Sequence, residues 1–219
     1  MQNEDADLNP CPISGTGSSQ PTNYSVTLNG TSHIGNLKTR TDAIPIPTVT
    51  SPPQPNGSRN VTINNSGQRI GDFSTVRNLT LNSSAGHHAI PSGTYGNFTS
   101  NSGNGFILGI TGSSEPAVYN LQSLTLNSRS RLQIVGPVIL TIGSGVTFNA
   151  TSTTSTNPAW LQMRIASGGL TLNSSSIFYG HVIVPSGTIA INSNARLVGN
   201  LSAGRLVVNS NGLVQVTNQ

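Results

Sequence analysis

Six carboxylates, four histidines and one cysteine are the side chains of this 219-residue chain with which acid–base, metal or nucleophilic chemistry could be done. Glu4, Asp5 and Asp7 crowd the first seven positions, where a terminus holds little fixed geometry. Asp42, Asp72 and Glu115 are what remains for the body. Glycoside hydrolysis ordinarily needs two facing carboxylates, and an oxygen-ligand cation site needs several, so three scattered acids suit neither. His33, His87, His88 and His181 follow no Cys/His zinc spacing. In an extended stretch His87 and His88 point to opposite faces, and His181 reads as a surface corner residue. Cys11, between Pro10 and Pro12, has no internal partner; it reads as a free thiol in an extended arm, with an intermolecular disulfide as the sharper alternative. Trp160, Tyr95, Tyr119, Tyr179 and Phe178 read as core or coil-end fillers rather than a sugar-stacking platform. These residues predict no enzyme, no metal site and no cofactor.

Charge points the same way. Only 7% of the chain is charged, against about 25% in ordinary globular proteins. The net charge of +4 divides into −2 over residues 1–58 (Lys38 and Arg40 against four acids) and +6 over 59–219 (eight Arg against Asp72 and Glu115). Those arginines are spread thinly, whereas a nucleic-acid surface needs a basic stripe with stacking aromatics, so no nucleic-acid partner is expected. No run reaches the roughly 18 apolar residues of a membrane span, and the acidic start is unlike a signal peptide.

What replaces charge is 30 Ser, 24 Thr and 25 Asn, with 24 Gly and 13 Pro. Such a composition opposes helices. The 34% of hydrophobic residues fall instead into a repeated pattern, two apolar residues flanking a Thr and followed by Asn. It reads Val26-Thr27-Leu28-Asn29, Val61-Thr62-Ile63-Asn64, Leu79-Thr80-Leu81-Asn82, Leu124-Thr125-Leu126-Asn127, Val146-Thr147-Phe148-Asn149 and Leu170-Thr171-Leu172-Asn173. Ile189-Ala190-Ile191-Asn192 and Leu206-Val207-Val208-Asn209 are degenerate copies. Successive Asn residues are 35, 18, 45, 22, 24, 19 and 17 apart, and the two long gaps, read as doubled units, imply about ten units of 17–24 residues. The second long gap has Phe106-Ile107-Leu108-Gly109-Ile110 near its middle. An apolar or aromatic residue followed by Gly recurs in phase, at Gly35, Gly71, Gly96, Gly136, Gly180 and Gly199.

Self-similarity at this period marks a solenoid. Apolar-Thr-apolar alternation has period two, so each motif is a short strand with its apolar residues inward and Thr27, Thr62, Thr80, Thr125, Thr147 and Thr171 outward in a row. The expected fold is an all-β parallel β-helix without significant helix: about ten coils, stacked about 4.8 Å apart, with Gly, Asn or Ser corners. Asn29, Asn64, Asn82, Asn127, Asn149, Asn173, Asn192 and Asn209, one per coil, suit a ladder of amides bonded along the rod. Several of these lie in N-glycosylation sequons, which the repeat generates automatically. Residues 1–22 read as an extended arm, 23–219 as one solenoid domain with a Pro-rich insertion at about 38–58, and 150–159 as a Thr/Ser-rich surface loop.

The closing stretch resembles bactofilins and bacterial surface proteins with polymer-forming, bactofilin-like repeats. The residues that carry the resemblance begin at Ser176 and include Tyr179-Gly180-His181-Val182-Ile183-Val184, Ala195-Arg196-Leu197-Val198-Gly199-Asn200-Leu201 and Leu206-Val207-Val208-Asn209-Ser210-Asn211-Gly212. It is best over about 165–219 and looser upstream. The resemblance implies a right-handed β-helix that polymerises end to end without nucleotide.

The function expected is structural: a self-assembling solenoid forming an extracellular fibre, surface layer or matrix, its partner being a further copy of itself joined head to tail, with the N-terminal arm available for exchange. The single Lys and single Cys suit an extracellular or cell-surface setting. The alternative is a binding module whose outward Thr row recognises surface glycans or ice, and a polysaccharide-active enzyme is a distant third.

Overall fold

The computed structural model describes residues 26–28, 33–34, 46–149, 152–154 and 157–217. Its strands, in chain order, are β1 (Val26–Leu28), β2 (His33–Ile34), β3 (Arg59–Ile63), β4 (Val76–Leu81), β5 (His87–Ala89), β6 (Gly93–Ser100), β7 (Gly105–Leu108), β8 (Ala117–Leu126), β9 (Arg131–Ile134) and β10 (Val138–Ile142). They continue as β11 (Val146–Asn149), β12 (Ser152–Thr154), β13 (Leu161–Ile165), β14 (Leu170–Asn173), β15 (Ile177–Tyr179), β16 (His181–Ile191), β17 (Arg196–Val198), β18 (Leu201–Val208) and β19 (Leu213–Gln215). The helical segments among the described residues are two single 3₁₀ turns, Phe73–Thr75 and Pro158–Trp160.

Every pairing among the described residues is parallel, and the strands stack as a β-solenoid. One sheet runs β1-β18-β16-β13-β10-β8-β6-β4-β3, with β11 and β14 beside it; the other runs β2-β19-β17-β15-β12-β9-β7-β5. The larger sheet is two columns joined at a bend. β8 pairs over Ala117–Leu121 with β10 and at Leu126 with β11, and β16 divides in the same way between β13 and β14. A complete turn therefore has three faces, and the inward residues of all three meet in one apolar core.

The alternation of the repeat is what builds that core. In β4, Leu79 and Leu81 are buried around the half-exposed Thr80; in β10, Val138, Leu140 and Ile142 are buried around Ile139 and Thr141. Each such side chain contributes roughly 1.5–3 kcal/mol on burial. Tyr95, Tyr119 and Phe178 lie in the core, with Tyr95 packed on Phe98 and Phe98 on Phe106. Trp160 is partly buried against it, and Tyr179 takes a half-buried outward position in β15.

The order of turns differs from the order of the chain. β1 pairs with β18 (Val26↔Leu206, Thr27↔Val207, Leu28↔Val208) and β2 with β19 (Leu213↔His33, Val214↔Ile34), so the first repeat lies on top of the last turn. The chain then returns to the opposite end, where β3 begins the winding against β4. Part of the Pro-rich insertion runs along the side: Pro52 is buried, and Gln122 Nε2 donates to the carbonyls of Pro52 (3.3 Å) and Pro53 (2.7 Å). The 35-residue gap contains this return, and among the described residues the smaller sheet holds eight strands, about eight turns beside the ten coils that the repeat spacing suggests.

Two further expectations are corrected. The 45-residue gap does hide a turn, but its copy of the motif is Phe98-Thr99-Ser100-Asn101 in and after β6, while Phe106–Leu108 belongs to β7 on the third face. The Thr/Ser-rich stretch 150–159 carries strand β12, because Thr153 fills an inward position with its hydroxyl bonded to both the N–H (2.6 Å) and the carbonyl (3.2 Å) of Tyr179. The arm 1–22, Asn29 and Gly35 lie outside the described residues.

Candidate functional site

Among the described residues the reactive side chains stay apart. Asp72 caps the 3₁₀ turn at Phe73, accepting from Ser74 N–H (2.9 Å) and Ser74 Oγ (2.8 Å), and these bonds hold its carboxyl below the usual range. Glu115 is exposed in the loop between β7 and β8. His87 is exposed and paired in register with Gly105, while His88 turns the other way, its Nε2 3.0 Å from the Ala85 carbonyl. His181 opens β16, its Nε2 3.3 Å from Asn200 Nδ2 on the next turn. Among the described residues no three His, Cys, Asp or Glu gather to hold a metal, and no helix is long and apolar enough to cross a membrane.

What the fold does assemble is one long neutral face, built on the second column. Its central row runs Thr62, Thr80, Thr99, Thr125 in register. Thr147 and Thr171 continue it, followed by Ala190 and Val207, with Thr27 of β1 resuming the row beyond. Thr99 is absent from the sequence-derived row because its copy of the motif reads Phe-Thr-Ser-Asn.

On one side of this row lies the amide ladder. Asn82 Nδ2 donates to Asn64 Oδ1 (2.8 Å), Asn101 to Asn82 (2.9 Å), Asn127 to Asn101 (2.6 Å), Asn173 to Asn149 (3.0 Å), Asn192 to Asn173 (2.9 Å) and Asn209 to Asn192 (2.8 Å). Asn101 follows Phe98-Thr99-Ser100 and so lies outside the apolar-Thr-apolar-Asn motif. On the other side is a shorter ladder, also not expected. Asn78 Nδ2 donates to Asn60 Oδ1 (2.7 Å), Asn97 N–H to Asn78 Oδ1 (2.7 Å) and Ser123 Oγ to Asn97 Oδ1 (2.8 Å). Further along that side an open groove is lined by Gly145, Gly168, Gly169 and Gly187 beside Thr147, Thr171 and Thr188. The three rows carry a single charge, Arg205, opposite Thr188 near the β18 end.

The corners divide by chemistry. Gly71, Gly180 and Gly199 take positive φ, whereas Gly96 and Gly136 do not; at those two a Cβ would come within 2.3 Å of Asn78 Oδ1 and the Ile110 carbonyl. After the ladder Asn residues the non-glycine positive-φ positions are Ser84, Arg129, Ser174, Ser175, Ser193, Asn194, Ser210 and Asn211. All of these but Arg129 are Ser or Asn, short side chains that can hydrogen-bond locally.

The remaining candidate surfaces are the rod's ends. Among the described residues β1 and β3 end one sheet, and β2 and β5 the other, each strand paired on one edge. The loop behind β3 is pinned by Arg59: Nη2 donates to the carbonyls of Ile70 (2.8 Å) and Asp72 (2.9 Å), and Nε to Thr75 Oγ1 (3.0 Å).

A parallel stack with amide ladders and a single continuous core defines a β-solenoid repeat protein. No family model, curated protein or solved structure matches the chain.

Proposed function

We propose that the protein is a structural building block: a solenoid that joins copies of itself end to end into an extracellular fibre, surface layer or matrix, with no catalytic role. The observation that carries this reading is the terminal turn. The edge of β18 and β19 accepts, in register, strands from a distant part of the sequence. A solenoid edge is a row of backbone donors and acceptors that pairs with any strand of matching pattern. β3 offers a corresponding edge at the opposite end. The neutral surface favours the same outcome, because stacked copies place like positions side by side and like charges there would repel. Sedimentation velocity over a range of concentrations, with negative-stain microscopy, tests it. Concentration-dependent association into rods of uniform width is expected; a monomer at every concentration and an empty grid would overturn it.

A second reading, surface recognition, is favoured by the in-register row Thr62, Thr80, Thr99 and Thr125. A flat, uncharged array with a repeat of about 4.8 Å suits an ordered neutral surface such as ice or a packed glycan. Freezing hysteresis that disappears in Thr99→Lys with Thr125→Lys would support it, and absence of hysteresis in the parent would remove the ice version.

A further inference from the structure

Resting on that assembly reading, we propose that the turn formed by β1 and β2 is exchanged between copies, so that the N-terminal coil of one chain closes the β18–β19 edge of the next. Three observations carry the inference.

The first is that the docked coil is held by pairing with β18 and β19, in the registers Val26↔Leu206 and Leu213↔His33. These contacts are the same whichever copy supplies them. The second is the connection. Residues 35–58 join β2 to β3, 24 residues with a reach of roughly 79 Å when extended. In the closed chain they span the stack from β1 to β3, eight steps of about 4.8 Å, or roughly 38 Å. In an exchanged assembly the same residues need only cross one turn, and the chain order of the repeats becomes their order in space. The third is edge complementarity. β1 carries the motif of β3, so inserted between a neighbour's β18 and its own β3 it meets Val61, Thr62 and Ile63 in register with Val26, Thr27 and Leu28. Exchange thus keeps every β1–β18 bond, gains a ladder along β3, and gives up the contacts of Gln122 with Pro52 and Pro53.

The closed and exchanged forms compete through effective concentration. A tethered coil sees its own edge at a concentration on the order of millimolar, so exchange grows as protein concentration rises. Partners at Thr27 and Val207 are neighbours across parallel strands about 4.8 Å apart, within the span a disulfide bridges.

The test uses full-length chains in which Cys11→Ser removes the native thiol. One population carries Thr27→Cys and the other Val207→Cys. They are mixed, concentrated and oxidised by copper phenanthroline, and mixed disulfides are identified on non-reducing gels and by mass spectrometry. Exchange predicts a Thr27→Cys to Val207→Cys heterodimer that increases with concentration. A chain carrying both substitutions, oxidised when dilute, must give the intrachain disulfide and so shows that the geometry closes. If filaments form without the mixed disulfide, closed copies stack unswapped: the exchange is overturned and the assembly function stands. A mixed disulfide without filaments keeps the exchange and overturns the fibre. Neither product overturns both. A second chain lacking residues 38–53 retains eight linker residues, whose roughly 26 Å reach cannot span the stack. It is expected to be oligomeric at every concentration, and a monomer would overturn the exchange independently of any cysteine.

Discussion

At Asn173 the ladder bonds on both sides, donating to Asn149 and accepting from Asn192, whereas Asn64 at the β3 end accepts one ladder bond, from Asn82. A net hydrogen bond is worth about 0.5–1.5 kcal/mol. Asn173→Ala should therefore cost about 2 kcal/mol and lower the melting temperature by roughly 4–8 °C, and Asn64→Ala about half as much, as read by calorimetry. Equal losses would show that the ladder is not what stabilises these positions. Ser100 is the opposite case. It is fully buried between Leu81 and Leu126, and its Oγ has no partner. Removing an unpaired buried hydroxyl relieves a desolvation penalty of about 1–3 kcal/mol, so Ser100→Ala should raise the melting temperature by at least roughly 2 °C. The ladder was legible in the sequence wherever two large apolar residues preceded the Asn. It failed at Asn101 because Ser100 stands where the pattern calls for an apolar residue, so the copy fell below recognition.

Strands and corners differ in how plainly the chain declares them. A strand in this fold is announced by side chains that must be buried, and that requirement is strong enough to read from Leu-Thr-Leu alone. β12 escaped because Thr153 satisfies its hydroxyl on the backbone of Tyr179 and so needs no apolar character to occupy the interior. Corners are set by backbone conformation, and Ser or Asn at positive φ looks the same in sequence as Ser or Asn on a surface. The loop between β3 and β4 makes the same point, since a single side chain organises it. Arg59 supplies three bonds to Ile70, Asp72 and Thr75. Arg59→Ala should cost about 1–2 kcal/mol, most of it local. Amide exchange between Asn64 and Thr75 should accelerate while β14 and β16 keep their protection, and uniform acceleration along the rod would refute a local role.

At the scale of the whole rod, the placement of the first repeat on the last turn was not legible, because Val26-Thr27-Leu28-Asn29 carries the same pattern as every other copy and suits every edge equally. The stack is quasi-one-dimensional, each turn touching only its neighbours, so stability need not be lost everywhere at once. Its two halves report separately. Tyr95 and Tyr119 lie in β6 and β8, the half nearer β3, whereas Trp160, the only tryptophan, leads into β13. Burial pushes the Tyr95 phenol up to about 12 from the usual 10.0, with Tyr119 beside it adding to the effect. Burial also raises Tyr119, against the opposing bond from the Gly109 N–H. The native state thus holds protons that the unfolded chain has released. The stabilisation is complete below pH 10 and is lost as pH rises from there through about 12. Alkali should accordingly melt the Tyr95 half first. Tyrosinate absorbance and loss of strand signal in circular dichroism should precede the red shift of Trp160 emission, and Tyr95→Phe should move the first step to higher pH while costing about 1 kcal/mol at neutrality for the lost bond to the Pro91 carbonyl. Coincident transitions in both chromophores would mean that the solenoid melts as one cooperative unit despite its nearest-neighbour construction.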